Sequence, residues 1–345
     1  MTQNKTQEEI IEEFQERKLK RKNTTWGHTC KRSATRFQNF LELNKYDMND
    51  IEFNLFHLED FIQHLKEQNR WADNSIKNMV FAIRELLKYG SKRYGWDVVF
   101  AEHKPDSIYS DDLELPSGSQ MLEETGQEIM YIREDEHEEL VSECSNPRDD
   151  LIFSILYDTG CRPKEIRDLK LSKIKDNDQE KENLFEDSKI EVKTAKRDDH
   201  YRYIYLKPDT RRKLIYWIYK GNREAYSSCA ETSEYVFPTE RSEKISKGGI
   251  NKQVKRWAER ADIQEVMYTK QSDHLLQGDY QQLEREYVRI NAKAYRHAFA
   301  VRACRNGISL AVLADLMGHA DPESLKHYTK FYPDDLKEAW EQYTT

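Results

Sequence analysis

Near its C-terminus the chain reads "LMGHADPESLKHYTKFY", Leu316 to Tyr332. Leu316 and Met317 close an apolar run. Gly318 can end the preceding helix in a left-handed cap, which places His319 at the helix terminus. Asp321 and Pro322 then suit the cap and first residue of a new helix. Tyr328 on that helix is flanked by Lys326, His327, Thr329 and Lys330. The pattern predicts a tyrosine turned outward on a polar segment, with Tyr332 packing near Trp340 instead.

The rest of the chain sets the context. Its 345 residues suit two domains, each large enough to bury a core. Charged residues make up 34% and the mean hydropathy is -0.95. No run of about 18 apolar residues is present, so a membrane span is not expected. The opening "MTQNKTQEEIIEEFQERK" lacks the apolar stretch of a signal peptide, and a cytoplasmic location is the expectation. The five cysteines, at 30, 144, 161, 229 and 304, form no CxxC, so neither a disulfide framework nor a zinc site is expected.

Net charge is -8, but the charges are segregated. Nine Lys or Arg fall between Arg17 and Lys45 against one acidic residue, Glu42, whereas Asp106 to Glu128 carries acidic charges. A local basic face, with Lys31, Arg32 and Arg36 as its candidates, could hold phosphates on an otherwise acidic protein. The same residues would also suit an ordinary solvated helix face.

Helical periodicity dominates the first hundred residues. Trp26, Cys30, Phe37, Phe40 and Leu41 recur at helical spacing, as do Leu58, Phe61, Ile62 and Leu65, and then Ile76, Met79, Val80, Ile83, Leu86 and Leu87. Residues 1–102 therefore read as an all-α domain. Residues 103–126, rich in Pro, Ser, Gly and acids without a period, read as a linker. Residues 127–345 form the second domain, mainly α with a small antiparallel sheet. In "SKIEVKTAKRDDHYRYIYL", Ile190 and Val192, and later Tyr203 and Tyr205, alternate with polar residues as strands do, around a polar hairpin tip.

Four short stretches carry candidate chemistry: "TGCRPKEI" with Arg162 and Glu165, "VKTAKRDDHYR" with Lys193 and Lys196, "KAYRHAFAVRACRNG" with Lys293, Arg296 and His297, and the opening stretch with His319 and Tyr328. Singly, each suits a solvated surface charge or a helix-terminal hydrogen bond. In this order they resemble the catalytic domain of the tyrosine recombinases (phage and viral integrases, chromosome-dimer resolvases). That family carries an Arg in a TGxRxxE-like motif, a hairpin Lys, an HxxRH-like motif, a GH pair and a Tyr nine residues later, as Tyr328 follows His319. The similarity runs from about Tyr131 to Trp340, and the N-terminal helices look like the family's core-binding domain. Two features depart from the pattern. Lys293 stands at the HxxR position, a KxxR variant also seen in poxvirus-type topoisomerases, and the segment at about 267–290 is longer than the family's usual link.

The resemblance implies a site-specific recombinase or integrase acting on double-stranded DNA, without metal or other cofactor. Arg162 and Arg296 would clamp the phosphorane oxygens, with Lys293 and His319 as further donors; preorganised donors of this kind contribute about 2.7–4 kcal/mol each. Tyr328, presented to DNA, would be the nucleophile and form a 3′-phosphotyrosine. Lys196, or Lys193 three residues earlier, would protonate the leaving 5′-oxygen. Glu165 and His297 would support these groups. The C-terminal tail would dock on a neighbouring protomer to give a dimer or tetramer on nucleoid or viral DNA. A type IB-like topoisomerase and a non-catalytic DNA-binding protein on the same fold are the alternatives.

Overall fold

The computed structural model describes residues 6–20, 24–46, 53–68, 71, 73–96, 98–99, 130–174, 189–194, 201–276, 279–319 and 322–329. The expected linker at 103–126, Lys196 and the C-terminal tail with Tyr332 and Trp340 lie outside them. The chain divides into two compact units: residues 1–127 with 271–283, and residues 128–270 with 284–345.

Among the described residues the first unit contains the helices α1 (Gln7–Leu19), α2 (Thr24–Leu43), α3 (Leu55–Glu67) and α4 (Asp73–Tyr94). The apolar stripes read from the sequence converge here: Phe37, Phe40, Leu41, Leu58, Phe61, Ile62, Leu65, Ile76, Met79, Val80, Ile83 and Leu87 share one core. Helix α1 precedes the apolar stripes seen in the sequence. Thr6 opens it with a capping box, its hydroxyl accepting from Glu9 N–H while Glu9 accepts from Thr6 N–H. Ile11 and Phe14 then pack with Cys30, Ala34, Ala82 and Leu86 in a second cluster. A two-residue parallel pair, β1 (Phe53–Asn54) with β2 (Val98–Val99), adds extended structure beside these helices. Among the described residues no helix is long and apolar enough to cross a membrane.

In the second unit, α5 (Glu134–Glu143) leads into α6 (Pro147–Thr159), which is buried almost all round. Asn146 caps α6, Pro147 sits in its first turn, and Gly160 ends it at φ 58°. Arg162 immediately starts the short α7 (Pro163–Arg167). The hairpin pairs β3 (Lys189–Lys193) with β4 (Tyr201–Tyr205) in antiparallel register, Lys193 opposite Tyr201.

The alternation read from the sequence holds in β4, and the structure sets its phase. Arg202 and Ile204 face inward with Ile190 and Val192, while Tyr201, Tyr203 and Tyr205 are each about half exposed, at 50–52%. Ile204 joins the main core and Arg202 meets a buried carboxylate beneath the hairpin, so the tyrosines take the outer face.

Helices α8 (Pro208–Tyr219), α9 (Asn222–Tyr226) and α10 (Lys247–Arg260) complete that core with Leu214, Trp217, Ile250, Val254 and Trp257. The long segment near 267–290 forms a two-stranded sheet of β5 (Val266–Leu276) and β6 (Asp279–Val288). The chain then enters α11 (Ala292–Arg305), α12 (Leu310–Met317) and a 3₁₀ segment, Pro322–Thr329. Ala300, Ala303, Cys304, Leu313, Ala314, Met317, Leu325 and Tyr328 make a separate small core from these three.

Candidate active site

The end of α12 organises the site. Gly318 adopts φ 63°, the left-handed conformation that its sequence position predicted. His319 N–H donates to Ala314 O at 2.8 Å and Gly318 N–H to Asp315 O at 3.1 Å, the paired bonds of a Schellman motif. The next three carbonyls, of Leu316, Met317 and Gly318, point past the helix end, and arginines meet them. Arg296 Nη2 donates to Met317 O at 2.7 Å and its Nη1 to Gly160 O at 2.6 Å. Arg162 Nη1 reaches Met317 O at 3.3 Å and Gly318 O at 3.4 Å. Arg202 donates to Leu316 O. Three guanidiniums thus gather at the negative end of one helix dipole.

Each guanidinium comes from a different element. Arg162 follows Gly160, whose left-handed turn swings the chain from α6 into α7. Arg296 lies on the buried face of α11, and Arg202 on the inward face of β4. Glu165 ties two of them together: it accepts Arg162 N–H at 2.9 Å, Arg162 Nη1 at 3.1 Å and Arg202 Nη2 at 2.8 Å. Burial works to raise the Glu165 carboxyl, but Arg202 and Arg162 outweigh it and hold the group below its ordinary value. Burial, with Arg162 close by, brings Arg296 down to about 10, which still leaves it charged at neutral pH.

Tyr328 departs from expectation. It is only 7% exposed and belongs to the small core, not to an outward face. The reason is the 3₁₀ geometry of Pro322–Thr329: three residues per turn put Leu325 and Tyr328 on one line, and both point at α11 and α12. The tyrosine hydroxyl is 2.5 Å from His297 Nδ1. Burial pushes the Tyr328 phenol up to about 12. Burial also takes His297 down to about 3, assisted by Lys293, His327 and Arg296. At neutral pH the pair is therefore a neutral phenol beside a neutral imidazole, which can accept its hydrogen bond.

His319 is half-buried, its Nδ1 3.0 Å from Ser324 Oγ. Lys293 is exposed in the first turn of α11, one turn before Arg296. Lys193 is exposed at the end of β3. In the first unit Lys31 and Arg32 are exposed, while Arg36 lies 4.5 Å over the Trp71 ring. Lys18, counted in the basic run, turns inward to Glu85 at 2.7 Å. Among the described residues no group of three or more His, Cys, Asp or Glu could hold a metal ion.

Residues 130–334, which include every one of the ordered motifs, match the family model described as "Phage integrase family". The chain belongs to that family. Two similar relatives are named "Tyrosine recombinase XerA": that of Thermococcus onnurineus is 24% identical over 198 residues, and that of Pyrococcus horikoshii 24% over 215 residues. The matches take in 56% and 61% of this chain and span only 55% and 60% of those relatives' own lengths.

Among solved structures, XerH site-specific recombinase bound to a palindromic difH substrate aligns at TM-score 0.64 and 17% identity, covering 92% of this chain and 80% of that one. A lambda integrase dimer bound to a COC′ core site aligns at TM-score 0.59 and 13% identity, covering 94% and 77%. The Tn1549 transposon integrase in complex with transposon right end DNA aligns at 0.61 and 13%, covering 99% and 100%. At such identities these likenesses establish the fold the phage integrase family shares.

Arg202 was absent from the sequence-derived candidates. Its signal was present in "YRYIY": Arg202 is in phase with Ile204, so a strand that buries Ile204 must bury Arg202. A buried arginine needs a partner, and Glu165 was already a candidate.

Proposed function

We propose that this chain is a tyrosine-type site-specific DNA recombinase that cleaves and rejoins DNA through a 3′-phosphotyrosine. The observation that carries this reading is the meeting of Arg162 and Arg296 at Met317 O, on the stretch that continues to His319 and Tyr328. Two permanently charged forks held by separate elements suit the non-bridging oxygens of one phosphate.

In the reaction, the Tyr328 phenolic oxygen forms a bond to phosphorus and passes its proton, by way of the neutral His297 imidazole that accepts its hydrogen bond, to solvent. The bond from phosphorus to the 5′-oxygen breaks, and that oxygen takes a proton from the hairpin lysine, for which Lys196 is the candidate. The bond energy is kept in the covalent link, so the reverse attack by a 5′-hydroxyl rejoins the strand. Lys293 would donate to phosphate beside Arg296. Because Tyr328 is buried against His297, DNA binding must bring the 3₁₀ segment and the phosphate together before attack. The first unit, through Lys31, Arg32 and Arg36, would grip the duplex as a core-binding domain. Assembly as a homo-oligomer on DNA is part of the same proposal, in keeping with the dimer named for lambda integrase.

The test is covalent capture. The chain is incubated with a randomised library of nicked duplexes, and SDS-resistant adducts are recovered and sequenced. Tyr328→Phe should abolish the adduct while leaving DNA affinity within a few fold. Lys196→Ala should slow adduct formation by about 10²–10⁴-fold, and a 5′-phosphorothiolate, whose thiolate leaves without a proton, should restore it. An adduct that persists in Tyr328→Phe, or maps to Tyr332, overturns the assignment. Processive relaxation of supercoils by a monomer would favour the topoisomerase alternative.

A further inference from the structure

The reaction just described leaves Arg202 without a task, although it is among the most constrained charges in the unit. It is 8% exposed and donates to Glu165 Oε2 at 2.8 Å, to Cys161 Sγ at 3.2 Å and to Leu316 O. Its side chain also packs on Gly318, where an added Cβ would come within 3.0 Å of Arg202 Cδ. Glu165 is buried and faces Arg162 and Arg202 at once.

The consequence is electrostatic. A buried carboxylate paired with Arg162 alone would cancel the charge that Arg162 offers a phosphate, in a site where water screens little. Two guanidiniums against one carboxylate leave a net positive charge, and Arg296 adds a second. We propose that Arg202 is a positioning residue for phosphodiester cleavage: it answers the charge of Glu165 and holds the Leu316 carbonyl, so that the Arg162 guanidinium stays available to the scissile phosphate. This rests on the recombinase reading above, but it concerns a residue that reading does not use.

The experiment compares Arg202→Met, which removes the charge at similar length, with Arg202→Lys, which keeps the charge without the fork. Substrates are nicked duplexes already captured on the wild-type chain, so failure of the recombinase reading shows first as no wild-type adduct. Arg202→Met should slow single-turnover adduct formation by about 10²-fold, the lower end of the loss for a direct donor. Arg202→Lys should stay within about tenfold of wild type, since the charge is what matters. A methylphosphonate at the scissile position lacks one non-bridging oxygen charge, so its phosphorane needs one positive charge fewer. On that substrate the Arg202→Met deficit should shrink to within about tenfold, as should that of Arg162→Ala.

Adding Glu165→Gln to Arg202→Met should recover at least about tenfold on the ordinary phosphodiester, as expected of coupled neighbours. Equal losses in the Lys and Met variants, or a deficit that methylphosphonate does not change, would overturn the proposal. Loss of the folded state in both variants, read by circular dichroism, would assign Arg202 to the core instead.

Discussion

At the scale of single residues, two half-buried histidines give the second unit a defined acid sensitivity. His137 stacks on Tyr157 at 4.0 Å between centroids and meets the Tyr295 ring edge-on at 5.6 Å. Burial takes it down to about 3, with Arg302, Lys213 and Lys207 adding to the effect. His297 is held near 3 in the same way. In the unfolded chain both would take up a proton near pH 6.5. Between about 6.5 and 3 the unfolded state therefore binds more protons, and stability is lost as pH falls through that window. Each histidine should contribute a slope that rises from about 0.7 kcal/mol per pH unit at pH 6.5 to about 1.4 near pH 5. Urea unfolding of the DNA-free protein between pH 6.5 and 5 keeps most carboxylates silent and isolates the effect. His137→Phe should remove one histidine's share of the slope; an unchanged slope would mean that His137 titrates normally in the fold.

At the scale of elements, the end of α12 is a junction that a single glycine permits. At φ 63° a residue with a Cβ is strained, and here the Cβ would also crowd Arg202 and Thr194. Gly318→Ala should lower the unfolding free energy by about 1–2 kcal/mol. It should slow adduct formation far more than it weakens DNA binding, because the carbonyl edge that seats the arginines would shift. Denaturant melts and single-turnover cleavage read the two effects separately; cleavage at the wild-type rate would show that the arginines do not depend on this cap. The α12 end also explains why Tyr328 escaped a reading based on α-helical neighbours. Lys326, His327 and Thr329 are polar, but at three residues per turn only Leu325 shares the tyrosine's face.

At the scale of the whole molecule, net charge misleads. The chain is acidic at -8, yet the proposed DNA contacts are local. Two units gripping a duplex would neutralise several phosphates, so log affinity should fall with log salt by about 0.9 per contact. Replacing Lys31 and Arg32 with alanine should flatten that slope by up to about 2. Arg36 belongs in a separate variant, because its stacking on Trp71 makes its loss a packing change as well. A salt dependence identical to wild type would mark this face as merely solvated.

The sequence by itself determined the apolar stripes of α2, α3 and α4, the hairpin, the cap at Gly318, and the ordered motifs that place the chain in its family. These are local signals, written in periodicity, in residues suited to positive φ and in fixed spacing. The capping box of Thr6 and Glu9 was equally local and was passed over. What only the tertiary structure decided is which groups meet. Arg202 of β4 and Arg296 of α11 come from separate elements and gather with the Arg162–Glu165 pair of α7, because buried charges must be paired. Tyr328 is withdrawn because the 3₁₀ turn aligns it with Leu325 against α11, where His297 takes its hydroxyl. Strand phase marks Arg202 as buried and the i,i+3 spacing links Arg162 to Glu165, but the meeting of these groups with Arg296 at the end of α12 depends on how the elements pack.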